Sequence, residues 1–208
     1  MNELQGPVVG FRVWWAVQMR WRRPPLRDGR LQSIGSQFLW TSATVAAQCD
    51  KHRPHTAPAP GCDCGLYAYD RLATARLQEE ELRAPFSLHF GGVLVLGAVL
   101  LWGHLVHAEV AERYANRLPG SDLGLCFRAQ FAKVLALRDD GEVTEPACLA
   151  HGIPAVQERY LESFAREHGA QVRIRCPARD AGRNPPFGRL QEGLIRGFLD
   201  GSLGMGSL

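Results

Sequence analysis

The sequence predicts an α+β fold, a small and strongly bent β-sheet or barrel-like core carrying a Cys/His loop, followed by a mixed α/β C-terminal extension. Three observations predict it. Residues 8–118 hold short runs of β-branched and aromatic residues bounded by Pro and Gly, which favour strands. Residues 49–65 form a Pro-rich loop crowded with Cys and His. Beyond residue 150, apolar residues recur at helical spacing. With 208 residues, 46% hydrophobic and 22% charged, the chain is large and apolar enough to bury a core.

The first strand is read over Val8-Val9-Gly10-Phe11-Arg12-Val13-Trp14-Trp15-Ala16-Val17, and another over Leu31 to Trp40. Residues 22–29 connect them, with Asp28-Gly29 as the turn, because Asp and Gly tolerate the backbone angles that a tight turn needs. The prolines of residues 49–65 exclude a helix. Between Ala68 and Arg83 a short helix is expected, with Asp70 as its N-cap. From Phe86 to Ala108 there are 23 residues without Asp, Glu, Lys or Arg, long enough to span a bilayer. Four glycines and three histidines interrupt them, so the segment is read as paired buried strands, Val93–Leu96 and Val99–Trp102, the latter continuing through Leu105-Val106.

In the C-terminal part, Ile153, Val156, Tyr160, Leu161 and Phe164 define an amphipathic helix over 153–168, with Pro154 in its first turn and Gly169 as its stop. Gln171 to Arg175 alternates as a strand would, and Leu190, Leu194, Ile195 and Phe198 suggest a last short helix. Two regions follow: a β-rich domain over 1–118 that includes the loop 49–65, and the mixed extension over 119–208.

The net charge of +3 is too small to imply a polyanionic partner by itself. The N-terminal residues lack a basic region followed by an apolar stretch, so the reading is a cytoplasmic protein with no membrane partner. In a reducing compartment, three Cys and two His within the sixteen residues 49–64 read as a metal site before they read as disulfides. The best ligand set is Cys49, His55, Cys62 and Cys64, spaced Cys-x5-His-x6-Cys-x-Cys, with His52 as the alternative histidine. Zinc is the expected ion, since it takes four Cys or His ligands tetrahedrally. Four protein ligands leave no open position, so the metal is expected to hold the fold.

These segments also carry a resemblance. Val9-Gly10-Phe11-Arg12-Val13-Trp14, Gly29-Arg30-Leu31-Gln32-Ser33, Ala47-Gln48-Cys49 and the loop His55-Thr-Ala-Pro-Ala-Pro-Gly-Cys62-Asp-Cys64-Gly65 resemble a family of small actinobacterial and related bacterial proteins of uncharacterised activity. A second hallmark of that family, a Leu-Trp-Gly strand motif, is matched by Leu101-Trp102-Gly103. The resemblance covers roughly residues 8–118 and departs after His107, where the family's His-Glu-Arg-Gly-Tyr-Arg-Ala-Glu is replaced by His107-Ala108-Glu109-Val110-Ala111. It implies the fold and the metal loop and leaves the activity open.

Three function classes follow. The first is a zinc-stabilised binding or adaptor module without catalytic activity. The second is a nucleic-acid-binding module using Arg20, Arg22, Arg23, Arg27 and Arg30, with Arg12 also interleaved among the neighbouring aromatics Phe11, Trp14, Trp15, Trp21 and Trp40 for phosphate contact. The third is a hydrolase using an open metal or the pair His107 and Glu109, which share a face if the strand persists. Cys148 and His151 are read as packing ahead of the long helix, and Cys126 and Cys176 as inert thiols.

Overall fold

The computed structural model describes residues 6–19, 26–34, 38–49, 55–59, 61–62, 64–86, 93–108 and 124–172. All of these belong to one compact unit, Met1–Pro177; a second unit, Ala178–Leu208, lies outside the described residues. The expected helix around Leu190 to Phe198 falls there, and the expected strand over 171–175 falls largely beyond them too.

The elements in order are β1 (Val8–Met19), β2 (Leu26–Ser33), β3 (Leu39–Trp40), β4 (Thr44–Ala46), β5 (Leu66–Tyr69), α1 (Leu72–Phe86), β6 (Val93–Ala108), β7 (Cys126–Arg138), α2 (Glu145–His151), β8 (Ala155–Val156) and α3 (Glu158–Gln171). β6 is central, pairing antiparallel with β1 from Val8↔Leu101 to Ala16↔Val93 and with β7 from Gly97↔Leu137 to Ala108↔Cys126. β5 joins the far edges, pairing with β7 from Leu66↔Ala129 to Tyr69↔Cys126 and with β1 at Phe11↔Tyr69. The ring β1–β6–β7–β5 is therefore closed, and the α+β class with a barrel-like core holds. β2 and β3 extend from β1, while β4 and the parallel β8 attach to β7.

Strand periodicity divides the apolar residues between two cores. Trp14, Leu31, Trp40, Val95, Val99, Leu101, Leu105, Phe127, Ala129 and Leu137 form one cluster inside the ring. Phe11, Val13, Leu96, Ala98, Leu100, Leu135 and Ala136 form the other, beneath Ala75 of α1 and Leu161 and Ala165 of α3. Because β6 is buried on both faces, its sequence is almost continuously apolar.

Several expectations are corrected. Val93–Ala108 is one strand rather than two, because Gly97 and Gly103 accommodate neighbours and bulges without turning the chain. A Cβ on Gly97 would lie 2.8 Å from Leu137 Cδ2 and 3.1 Å from the Trp14 ring. Gly103, at φ +83°, sits in the register shift between Trp102 and Leu105. Gly29 is within β2 at φ +72°, packed beneath α2 where a side chain would meet Pro146 and Ala150, so Asp28-Gly29 is not the turn. The run Leu31 to Trp40 is interrupted between Ser33 and Leu39, with Ser33 N–H donating to Phe38 O at 2.9 Å.

The long helix begins at Glu158 and not at Ile153, because residues 154–156 hydrogen-bond to β7: Leu137 N–H donates to Pro154 O and Asp139 N–H to Val156 O. Gly169 lies inside α3, where its missing side chain lets the helix approach Val9, Leu100 and Leu135. Asp70 accepts Leu125 N–H at 2.7 Å, which ties the start of β7 to the chain leading into α1. Residues 126–172 are not an appendage beyond residue 118: β7 is a wall of the ring and α3 covers it, because the β-rich segment alone would leave β5 and β6 without the strand between them. Among the described residues, no helix is long and apolar enough to cross a membrane.

Candidate metal centre

β7 builds the site by bringing the two ends of a Pro-rich loop to adjacent positions. β4 runs along β7 until Ala46↔Phe131, and Ala47 N–H donates to Gln130 O at 2.7 Å. The chain returns as β5 at Leu66↔Ala129 on the same strand. Residues 47–65 therefore leave and rejoin β7 within two positions, which places Cys49 at one root of the loop and Cys64 at the other. Within the loop, Ala57 and Pro58 are buried. Near the second root, Cys62 N–H donates to Ala59 O at 3.2 Å, and Gly61 adopts φ +72° and Gly65 φ +127°.

The structure brings together Cys49, His55, Cys62 and Cys64, whose ligand atoms all lie within 4.8 Å of one another. Cys49 Sγ is 3.7 Å from Cys62 Sγ, and His55 Nε2 is 3.2 Å from Cys64 Sγ. All three cysteines are free thiols, because a disulfide requires sulfurs at about 2.05 Å. The alternative histidine, His52, lies outside the described residues.

Electrostatics set the thiols of the cluster against one another. The Cys64 backbone N–H, with the neighbouring thiols and His55, lowers the Cys62 thiol to about 7. Burial and the two neighbouring sulfurs push the Cys64 thiol up to about 11. Thiols this close do not all ionise together, since each thiolate raises the cost of the next. A bound metal ion would remove that conflict by neutralising the charge it gathers.

The other candidates separate. His107 is half-buried with its ring T-shaped against Phe127, centroids 5.5 Å apart, while Glu109 lies outside the described residues. Of the arginine run, Arg30 alone has a described side chain. The aromatic surface expected beside it is corrected at three positions: Trp14 and Trp40 are 0% exposed and Phe11 2%, because they fill the two cores and cannot stack on a base, while Trp15 is half-buried and Trp21 lies outside the described residues. Cys126 is buried and its thiol is pushed up to about 11, first by burial. Cys148 and His151 lie on α2 against the inner core, where burial raises the Cys148 thiol and lowers the His151 imidazole from their ordinary values.

Sequence reasoning assigned Arg12 to a phosphate-contacting surface, which its burial corrects, and it missed the buried Arg128 and Arg138. Arg12 points into the ring, where Nη1 donates to Tyr67 O at 2.8 Å and Nη2 to Ser33 Oγ at 2.6 Å, and its guanidinium carbon is 5.3 Å from the Trp40 ring centre. Burial lowers its pKa to about 10, leaving it charged at neutral pH. Its signal was present: Arg12 shares the Trp14 phase of an otherwise apolar strand. Arg128 reaches the metal loop, and Arg138 forms a buried ion network with Glu79; neither follows from sequence spacing. No protein-family model, curated protein or solved structure matches the chain.

Proposed function

We propose that the protein is a zinc-stabilised binding module in which the metal holds the loop and the barrel edge and performs no chemistry. The observation that carries this reading is the cluster, among the described residues, of three thiols and one imidazole whose ligand atoms all lie within 4.8 Å of one another. Zinc with Zn–S of about 2.3 Å and Zn–N of about 2.0–2.1 Å has S···S edges of about 3.8 Å and N···S edges of about 3.5 Å. Two of the six ligand pairs, Cys49 Sγ–Cys62 Sγ at 3.7 Å and His55 Nε2–Cys64 Sγ at 3.2 Å, lie close to those edges.

Cys49, His55, Cys62 and Cys64 would hold the ion, and its charge would keep three thiols ionised side by side. Four protein donors complete a tetrahedral shell, so substrate and water have no vacant position to occupy. Three reduced cysteines in one ligand set also suit a reducing compartment, and the cytoplasm is the proposed location.

Metal analysis of purified protein tests the reading. About one equivalent of zinc is expected, with loss of stability in a strong chelator. Less than about 0.3 equivalents, together with unchanged folding in chelator, would sink it.

A further inference from the structure

β7 contacts the metal loop through a side chain as well as through its backbone. Arg128 is 8% exposed and lies opposite Tyr67 in the β5–β7 ladder. Its Nη1 donates to the carbonyl oxygen of Cys62 and, at 3.5 Å, to that of Cys64. The same guanidinium lies 5.9 Å from the Tyr67 ring centre, and the Tyr67 carbonyl accepts Arg12 from across the ring. Gly65 permits this approach: at φ +127°, a Cβ there would stand 3.2 Å from Arg128 Cβ and 3.3 Å from Pro58 Cβ.

We propose that Arg128 is the positioning residue of the metal centre, fixing the Cys62–Cys64 limb from the barrel wall. The inference rests on the zinc reading above and adds how the ligands are held. One guanidinium nitrogen that reaches the carbonyls of both residues anchors the backbone that carries both thiols, where their sulfurs lie within 4.8 Å of the Cys49 and His55 ligand atoms. That grip adds to the Cys62–Ala59 turn and the root at Leu66, and the conformational freedom it removes from the Cys-x-Cys limb would otherwise oppose metal capture. Three thiolates around a divalent cation also leave one net negative charge. A guanidinium on the ligands' carbonyls offsets it without touching sulfur, as partners outside the ligand shell commonly do.

The test compares zinc affinity of the full chain and its Arg128→Gln and Arg128→Lys variants, by competition with a chromophoric chelator. Sulfur-to-cobalt charge-transfer absorption of the cobalt forms reports the thiolates bound, and far-UV circular dichroism monitors the fold. Arg128→Gln is expected to bind zinc about 10–100-fold more weakly with its fold intact, and Arg128→Lys to recover part of the loss because its ammonium still donates to a carbonyl. Wild type and Arg128→Gln within about twofold of each other would overturn the proposal, as would a lysine variant no better than the glutamine variant. If the Arg128 variants do not fold, Gly65→Ala decides. Its Cβ drives the limb away from an intact Arg128, and binding about tenfold weaker or more supports the proposal while unchanged binding overturns it. A wild-type chain that binds no zinc would instead defeat the zinc reading itself.

Discussion

Replacing Arg138 with Met should strongly destabilise the fold, because it strips a buried carboxylate of its main partner. Arg138 ends β7 and holds Glu79 of α1 in a fork, Nη1 to Oε2 at 2.7 Å and Nη2 to Oε1 at 2.6 Å, with side-chain exposures of 9% and 4%. It also bonds Asp140 at 2.9 Å and Glu158 of α3 at 3.4 Å, so one guanidinium ties both covering helices to the ring. In Arg138→Met the packing of the stem survives, but Glu79 keeps only Arg83, whose side chain is 63% exposed. Losing one partner of a buried pair costs about 3–5 kcal/mol, and the exposed Arg83 contact returns at most about 1. The expected loss is about 3 kcal/mol, or a fall in Tm of about 6–12 °C for a unit of this size.

Chemical and thermal unfolding followed by circular dichroism would measure it, with Glu79→Leu/Arg138→Met as the control. Removing both charges lets apolar groups fill the site, while Asp140 and Glu158, each 29% exposed, can hydrate; the double variant should regain at least half the loss. A single variant within about 1 kcal/mol of wild type, or a double variant no more stable than the single, would refute the reasoning. The network also sets an acid limit. Burial alone would raise the pKa of Glu79, but Arg138 and then Arg83 outweigh it and hold the carboxyl below its ordinary 4.5. A depressed carboxylate contributes fully above the unfolded value and is lost as pH falls through the folded one. Wild type should therefore lose stability as pH drops below about 4.5, and the double variant should lack this component.

Two further substitutions probe the ring. Ser33→Ala removes the oxygen that accepts both Arg12 Nη2 at 2.6 Å and Trp40 Nε1 at 3.0 Å, so a loss of about 2–3 kcal/mol and a changed near-UV tryptophan signal are expected. An unfolding midpoint equal to wild type would contradict the buried-arginine account. Gly97→Ala drives a methyl group against the Ala136 carbonyl oxygen as well as Leu137 and the Trp14 ring, and should cost about 3 kcal/mol or more by urea unfolding, with the slope unchanged. No loss would mean that β6 and β7 can part there without penalty.

Read alone, the sequence located β1 and the apolar run of β6, indicated that β6 is buried, and picked out the four residues that crowd into a candidate ligand set, but it left β4, β5, β7 and β8 unread. These follow from periodicity and local spacing, which act over a few residues. It also placed the loop among prolines that forbid a helix. Only the tertiary structure decided what ring closure and long-range pairing control. Gly97, Gly103 and Gly169 look like breaks in the sequence, yet each lies at a close approach or bulge whose neighbours come from other elements. Trp14 and Trp40 look like a surface for stacking until closure of β1, β6, β7 and β5 encloses them. Arg128 and Arg138 carry no local signature, because the carbonyls of Cys62 and Cys64 and the carboxylate of Glu79 are more than fifty residues away in the chain. The metal loop divides in the same way: its ligands are legible as a cluster, but their convergence depends on β7 receiving β4 and β5 end to end along one edge. Hydrogen bonding between strands distant in sequence sets that register.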